Sequence, residues 1–258
     1  MSSSMTTHKR ALPRQTDSST MEVRDGRIMV AARPQTGPQS WLLKLAAALT
    51  GAILAAFVAI HMVGNIKAYF GPAHFNDYAH WLRVAGEPLL PEMGLLWAFR
   101  VVLLISIIIH IAATLALTFR SRSARGPHRA RGLRAESWVS RTMLITGIAL
   151  LGFIIIHILD LTTGHLNGAF QAPTHTSSFA YENLIASFSR PLFSLIYLVA
   201  MGALAVHLIH GLWLLATDFA VTGPRTRRVW KLIAYAAGIV IALVNMSVPL
   251  AVLTGVLS

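Results

Sequence analysis

The chain contains no cysteine. That excludes disulfides, thiolate zinc sites and any iron–sulfur cluster held by this chain alone. Charge is scarce: only 12% of the 258 residues are Asp, Glu, Lys or Arg. Acidic residues are the scarcer kind, 10 against 22 basic, and none falls clearly at the middle of a long apolar run. A proton path through a bilayer recruits such carboxylates, so that reading is disfavoured. What the chain has instead is hydrocarbon. It is 55% hydrophobic with a mean hydropathy of +0.59. Several apolar runs exceed the roughly 20 residues that cross a bilayer core. Helices are the expected form, because lipid satisfies no backbone hydrogen bond.

Residues 1–40 are polar, rich in Ser, Thr, Pro and Arg, and show no apolar periodicity. No apolar stretch follows Lys9-Arg10, so no cleaved leader is read. This part is expected to be a polar cytoplasmic tail, with Met21–Ala32 as a segment that orders against a soluble partner. Residues 41–258 are expected to form one all-α membrane domain. Its five spans are placed near 41–66, 94–119, 137–161, 191–216 and 230–257. Trp41, Trp97, Trp138 and Trp230 lie near span ends, where interfacial Trp belongs.

The net charge of +12 raises nucleic acid as a partner, but its distribution points to topology. Basic residues group in the tail, between spans two and three (Arg120, Arg122, Arg125, Arg129, Arg131, Arg134, Arg141), and between spans four and five (Arg225, Arg227, Arg228, Lys231). Only Lys67, Arg83, Arg100 and Arg190 fall on the other side. The positive-inside rule then puts the N-terminus in the cytoplasm and the C-terminus outside.

Four spans each carry one histidine among Leu, Ile, Val and Ala: His61, His110, His157 and His207. An ionisable ring in hydrocarbon is costly and is a functional candidate. Counting from the charged span ends at 1.5 Å per residue puts His61 and His157 roughly 24–25 Å from the inner edge. His110 and His207 come out at roughly 15–16 Å, about 9 Å deeper toward the cytoplasm. Two rings at each of two depths suit a porphyrin iron held between paired imidazoles. The bland alternative is four histidines hydrogen-bonding neighbouring helices. His210, three residues after His207, shares its helical face and competes with it by depth alone. No repeat of 20 to 50 residues is visible. Spans one and three place their histidine late, and spans two and four place theirs mid-span.

The stretches His61-Met62-Val63-Gly64-Asn65, Phe75-Asn76-Asp77-Tyr78-Ala79, His157-Ile158-Leu159-Asp160 and His207-Leu208-Ile209-His210-Gly211-Leu212-Trp213 resemble a known family. It is the dihaem cytochrome b membrane anchor of succinate:quinone oxidoreductases and quinol:fumarate reductases, in its single-subunit, five-helix form. The resemblance covers about 41–257. Leu214-Leu215-Ala216-Thr217-Asp218 departs from the polar, Gly-containing continuation of many members.

The resemblance implies a non-catalytic electron-transfer subunit of succinate dehydrogenase in a bacterial cytoplasmic membrane. Flavoprotein and iron–sulfur subunits would dock on its cytoplasmic face. Two b haems would be held by His61 with His157 and by His110 with His207, and His207 is chosen over His210. A membrane quinone, menaquinone in preference to ubiquinone, would accept the electrons. Nucleic acid is not an expected partner. Arg100 and Arg190 are candidate partners for the outer haem propionates, and Arg141 and Lys231 for the inner ones. His74, Asn76, Asp77, Tyr78, His80 and Trp81, with Asp160 and His165, are candidates for a quinone site at the outer side. Three alternatives stay open. One is the same anchor in a fumarate reductase. Another holds a Rieske-type centre, whose two Cys would have to come from a partner. The third, of another class, is a haem-free transporter or structural anchor.

Overall fold

A computed structural model describes residues 21–24, 27–30, 37–125, 134–219 and 223–258. The chain divides into two units, 1–39 and 40–258.

The first unit is the polar tail, and its described residues lie within the segment Met21–Ala32 or just before Ser40. It contains an antiparallel hairpin of β1 (Met21–Arg24) and β2 (Arg27–Val30). Met21 pairs with Val30 and Arg24 with Arg27. The reason is local. Asp25-Gly26 stands between the strands in sequence, and Asp-Gly favours the tight hairpin turn. Val23, Ile28 and Val30 add β-branched residues, which suit strands.

The regular elements described in the second unit are all helices. Its long elements are α1 (Ser40–Ile66), α3 (Gly94–Arg125), α4 (Arg134–His157), α6 (Pro191–Asp218) and α7 (Pro224–Leu253). All five are long and apolar enough to cross a membrane. Two short helices, α2 (Pro72–Val84) and α5 (Ala180–Phe188), sit at one end of the bundle and are called here the capped end. The opposite, basic end carries Arg120, Arg122, Arg225, Arg227 and Arg228. Proline opens α2, α6 and α7, at the position where a missing N–H costs least. Helix α7 begins at Pro224 rather than near Trp230, and α3 runs on to Arg125. These extra turns are polar and basic, so the apolar run does not reveal them. The expected roles of Arg129, Arg131 and the Arg141 side chain lie outside the described residues.

Close helix packing joins α6 to α7, α1 to α3, and α4 to α6, with α1 also against α6 and α7. At the α6–α7 contact a Cβ on Gly238 would lie 2.5 Å from Ile209 Cγ1 and 3.1 Å from the Ala205 carbonyl oxygen. Only a glycine lets the two backbones approach this far. Polar bonds tie α1 and its continuation to α7: Asn65 Nδ2 donates to Asn245 Oδ1 at 2.8 Å, and Tyr69 donates to Ser247 Oγ at 2.8 Å.

The buried apolar cluster lies at the capped end. It contains Ala68, Leu184, Phe188, Tyr197, Val248, Ala251, Val252 and Leu257. Asn76 pins α2 to α5. Its Nδ2 donates to Glu182 at 2.9 Å, and its Oδ1 accepts from the Tyr181 backbone N–H at 2.9 Å. Elsewhere the long helices leave Ile60, Ile108, Ile145, Ile148, Leu195 and Leu243 exposed, as lipid-facing surfaces do.

Candidate functional site

The histidines meet across the diagonals of the α1–α3–α4–α6 arrangement. The α1–α4 and α3–α6 pairs are not among the close helix packings, yet their imidazoles face each other. The rings of His61 on α1 and His157 on α4 have centroids 5.8 Å apart. Those of His110 on α3 and His207 on α6 are 6.5 Å apart. Two imidazoles bonding one metal through about 2 Å N–metal bonds place their centroids roughly 6 Å apart. No ring is fully buried by protein: His61 is exposed and the other three are half-buried.

Each level is built the same way. Phe57 stacks on His61 one helical turn on, with centroids 5.4 Å apart, and Phe153 lies against His157 at 5.7 Å. Thr50 Oγ1 lies 3.3 Å from His110 Nδ1, and Thr146 Oγ1 lies 3.1 Å from His207 Nδ1. Both hydroxyls already donate to the carbonyl one turn back, Thr50 to Ala46 and Thr146 to Thr142. They can therefore only accept from the rings, which puts the ring proton on Nδ1. His110 Nδ1 also reaches the Ala47 carbonyl at 3.1 Å. His157 Nδ1 lies 3.2 Å from the Tyr197 hydroxyl. In three of the four rings Nδ1 is thus occupied and Nε2 is left as the free lone pair. This is the orientation that outer partners impose on metal-binding histidines.

Glycine makes room beside the rings. A Cβ on Gly51 would lie 3.1 Å from His110 Cε1, and one on Gly147 would lie 3.5 Å from His207 Cε1. Thr50-Gly51 and His61 recur as Thr146-Gly147 and His157 with identical spacing. Residues 49–61 and 145–157 match at Thr, Gly, Leu54/Leu150, Phe57/Phe153, Ile60/Ile156 and His. The coarse echo between spans is therefore a repeat 96 residues apart, beyond the 20–50 range first considered. Aligning those two spans on their histidines would have exposed both threonines and both glycines.

The two levels are farther apart than depth counting gave. His61 lies 11 residues after Thr50 and His157 lies 11 after Thr146, which is about 16 Å along each helix rather than about 9 Å. Arg120 donates to Ser40 Oγ at 3.2 Å, four residues before Lys44, so the charged end of α3 lies beyond that of α1 and depth counted from it is too large.

The other candidates separate. Directly after His157 the chain makes a π-turn, Ile158–Thr162, a form common at functional sites. It turns Asp160 fully inward, with 0% exposure. There the carboxylate accepts from Arg190 and from the Ser187 hydroxyl, and the Tyr197 hydroxyl lies 3.3 Å away. Asp160 is thus enclosed by protein partners rather than lining an open quinone slot, and Arg190 is its counter-ion. Asn76 is engaged by α5, as above. His165 is exposed beside Thr163, His74 is exposed against Phe70, and Asp77 is exposed. Tyr78 and Trp81 come together on α2, which also carries His80. Tyr78 stacks on Trp81 at 6.2 Å, Lys67 lies 5.0 Å over the Tyr78 ring, and the buried His80 Nδ1 has no hydrogen-bond partner among the described residues. Arg100 lies over Trp97 at 4.9 Å, and Lys231 is 6.0 Å from the Trp213 ring. His210 Nδ1 is buried without a hydrogen-bond partner among the described residues, in contrast to His207.

Beside the capped end, Glu92 accepts from His175 Nδ1 at 2.8 Å and from Arg83 at 3.4 Å. The His175 hydrogen bond, then the charges of His175 and Arg83, hold the Glu92 carboxyl below its usual range.

Residues 120–245, just under half of the chain, match the family of the succinate dehydrogenase/fumarate reductase transmembrane subunit. The match supports the anchor-subunit family, whose complex is a respiratory oxidoreductase with flavoprotein and iron–sulfur subunits. No curated protein and no solved structure matches the chain.

Proposed function

We propose that this chain is the membrane anchor and cytochrome b subunit of a succinate dehydrogenase. It holds two b haems and part of a quinone site in a bacterial cytoplasmic membrane. The observation that carries this reading is the pair of facing imidazoles at each level, with centroids 5.8 and 6.5 Å apart and Nδ1 engaged on three of the four rings. The residues fit the group. Among the described residues no three His, Asp or Glu side chains cluster into an all-protein metal site. A six-coordinate metal bound by two rings needs four more ligands, and a porphyrin would supply four.

His61 with His157 would hold one haem and His110 with His207 the other. When bound, the haems supply one-electron relays between a docked iron–sulfur subunit and a membrane quinone. The chain's own contribution is placement. Thr50, Ala47 and Thr146 hold His110 and His207 in the tautomer that presents Nε2, and Tyr197 does so for His157. Gly51 and Gly147 keep side chains away from the inner rings. Arg100 and Lys231 are the available cations for propionates. The Arg120, Arg122 and Arg225–Arg228 end is the cytoplasmic docking face, following the positive-inside rule. At the capped end His80 Nδ1 and the Tyr78–Trp81 stack are the groups positioned to take a quinone carbonyl and ring, and menaquinone is the expected quinone.

Purification of the chain from its native membranes with mild detergent tests the assignment. A flavoprotein, an iron–sulfur protein and succinate-reducible b-type absorbance should copurify. Recovery without either partner would contradict it.

A further inference from the structure

The two histidine levels differ in what lies behind them. His207 hands its Nδ1 proton to the Thr146 hydroxyl, which ends on the Thr142 backbone carbonyl. His110 ends on a neutral carbonyl too, that of Ala47. His157 instead faces a chain that ends in charge. Its Nδ1 lies 3.2 Å from the Tyr197 hydroxyl, and that hydroxyl lies 3.3 Å from Asp160 Oδ2. With the ring proton on Nδ1, the imidazole donates to Tyr197 and Tyr197 donates to the carboxylate. Asp160 is held by the Ser187 hydroxyl and by Arg190. Arg190 is itself fixed by the Leu166 and Ser187 carbonyls and lies 3.6 Å over the Phe193 ring. Tyr197 is packed between Phe153 and Phe188, which holds its hydroxyl oxygen in place. The π-turn is what brings Asp160 inward beneath His157.

We propose that Tyr197 and Asp160 are positioning residues that make His157 the most electron-rich of the four imidazoles and so lower the reduction potential at the His61–His157 level. This rests on the dihaem reading above. A carboxylate behind a metal-binding imidazole raises its basicity. A more basic axial ligand favours the oxidised iron, and hydrogen bonding around the ligand is one of the protein's levers on haem potential. Arg190 moderates the carboxylate's charge without removing its acceptor role, because its guanidinium and the tyrosine hydroxyl approach different oxygens, Oδ1 and Oδ2. Tyr197 contacts His157 Nδ1 and Asp160 contacts Tyr197, so their effect would pass through His157.

The test is a potentiometric titration of the purified protein followed by optical absorbance. The component belonging to the His61–His157 level is identified by its loss in His61→Ala. In Tyr197→Phe, which keeps the ring packing, that component should move to higher potential. The expected size is about a tenfold change in its oxidised-to-reduced ratio, about 59 mV for one electron. The other component should not move. Asp160→Asn, which keeps Tyr197, should shift the same component in the same direction, and this second variant decides the matter if Tyr197→Phe loses haem. Two components in the parent with no selective upward shift in either variant would overturn this inference and leave the dihaem reading standing. A parent without haem would overturn both.

Discussion

The sharpest difference between the two inner histidines lies in their hydrogen bonds, and it can be tested by removing one oxygen atom at a time. Thr146→Val deletes the hydroxyl 3.1 Å from His207 Nδ1 and keeps the side chain's shape. Among the described residues no second acceptor is placed on that ring nitrogen. An N–H left unsatisfied inside a protein costs about 1–3 kcal/mol, and losing an outer partner of a metal-binding histidine costs about 10–100-fold in affinity. Thr50→Val is the matched control. It removes the hydroxyl 3.3 Å from His110 Nδ1, but the Ala47 carbonyl at 3.1 Å remains. Its cost should stay near a single shared hydrogen bond, about 1 kcal/mol or roughly fivefold. The assay is haem transfer from detergent-solubilised protein to excess apomyoglobin, followed in the Soret band. Thr146→Val should release one of its two haems about 10–100-fold faster than the parent. Thr50→Val should do so only a few-fold faster, and the His61–His157 haem should leave at the parental rate in both. Equal behaviour of the two variants, or no change in either, would refute the assignment of Nδ1 protons on which the site is built.

Gly238→Val should loosen the α6–α7 contact by about 1–3 kcal/mol through overpacking, read as a lower midpoint of detergent-resistant folding. Ile209→Ala, which removes the atom 2.5 Å from the added Cβ, should recover part of it. The depressed Glu92 carboxyl adds local stability that is complete above its unfolded-state value and is lost as pH falls through its lower folded value. Hydrogen exchange of the 85–94 loop, corrected for intrinsic rates, should therefore rise below the usual carboxylate range, and Glu92→Gln should show the raised rate already at neutral pH. His80→Phe should raise the KM for quinone while both haems and soluble-dye activity persist. An unchanged quinone KM would place the working quinone elsewhere, with the basic end as the place to look.

The five membrane-crossing helices were legible because bilayer length and hydropathy are properties of the sequence itself. Their polar extensions were not. Pro224–Val229 and Ser121–Arg125 form helix beyond the apolar run, where no hydrophobic period marks them. Asp25-Gly26 carried the hairpin signal, but a polar composition masked it. Helices α2 and α5 carry no long apolar run, because their windows mix Asn, Asp, Glu and His with aromatics. What makes them helical is docking on the buried cluster of the capped end. At the site, the four histidines stood out as polar atoms in hydrocarbon. Their threonine partners did not, because a lone Thr in a helix is commonplace. Only the repetition of Thr-Gly and His with constant spacing distinguishes Thr50 and Thr146. The Asp160–Arg190 pair joins residues 30 apart through a π-turn, and no periodic reading of the chain anticipates that.

The central claim is that two haems lie between His61 and His157 and between His110 and His207. Haem b per chain, measured as the pyridine haemochrome against quantitative protein, tests it most directly in the parent and in four single His→Ala variants. The account predicts two haems in the parent and one in each variant. His61→Ala and His157→Ala should lose the same redox component, and His110→Ala and His207→Ala the other. A parent with no haem, or a shared loss in His61→Ala and His110→Ala, would contradict it.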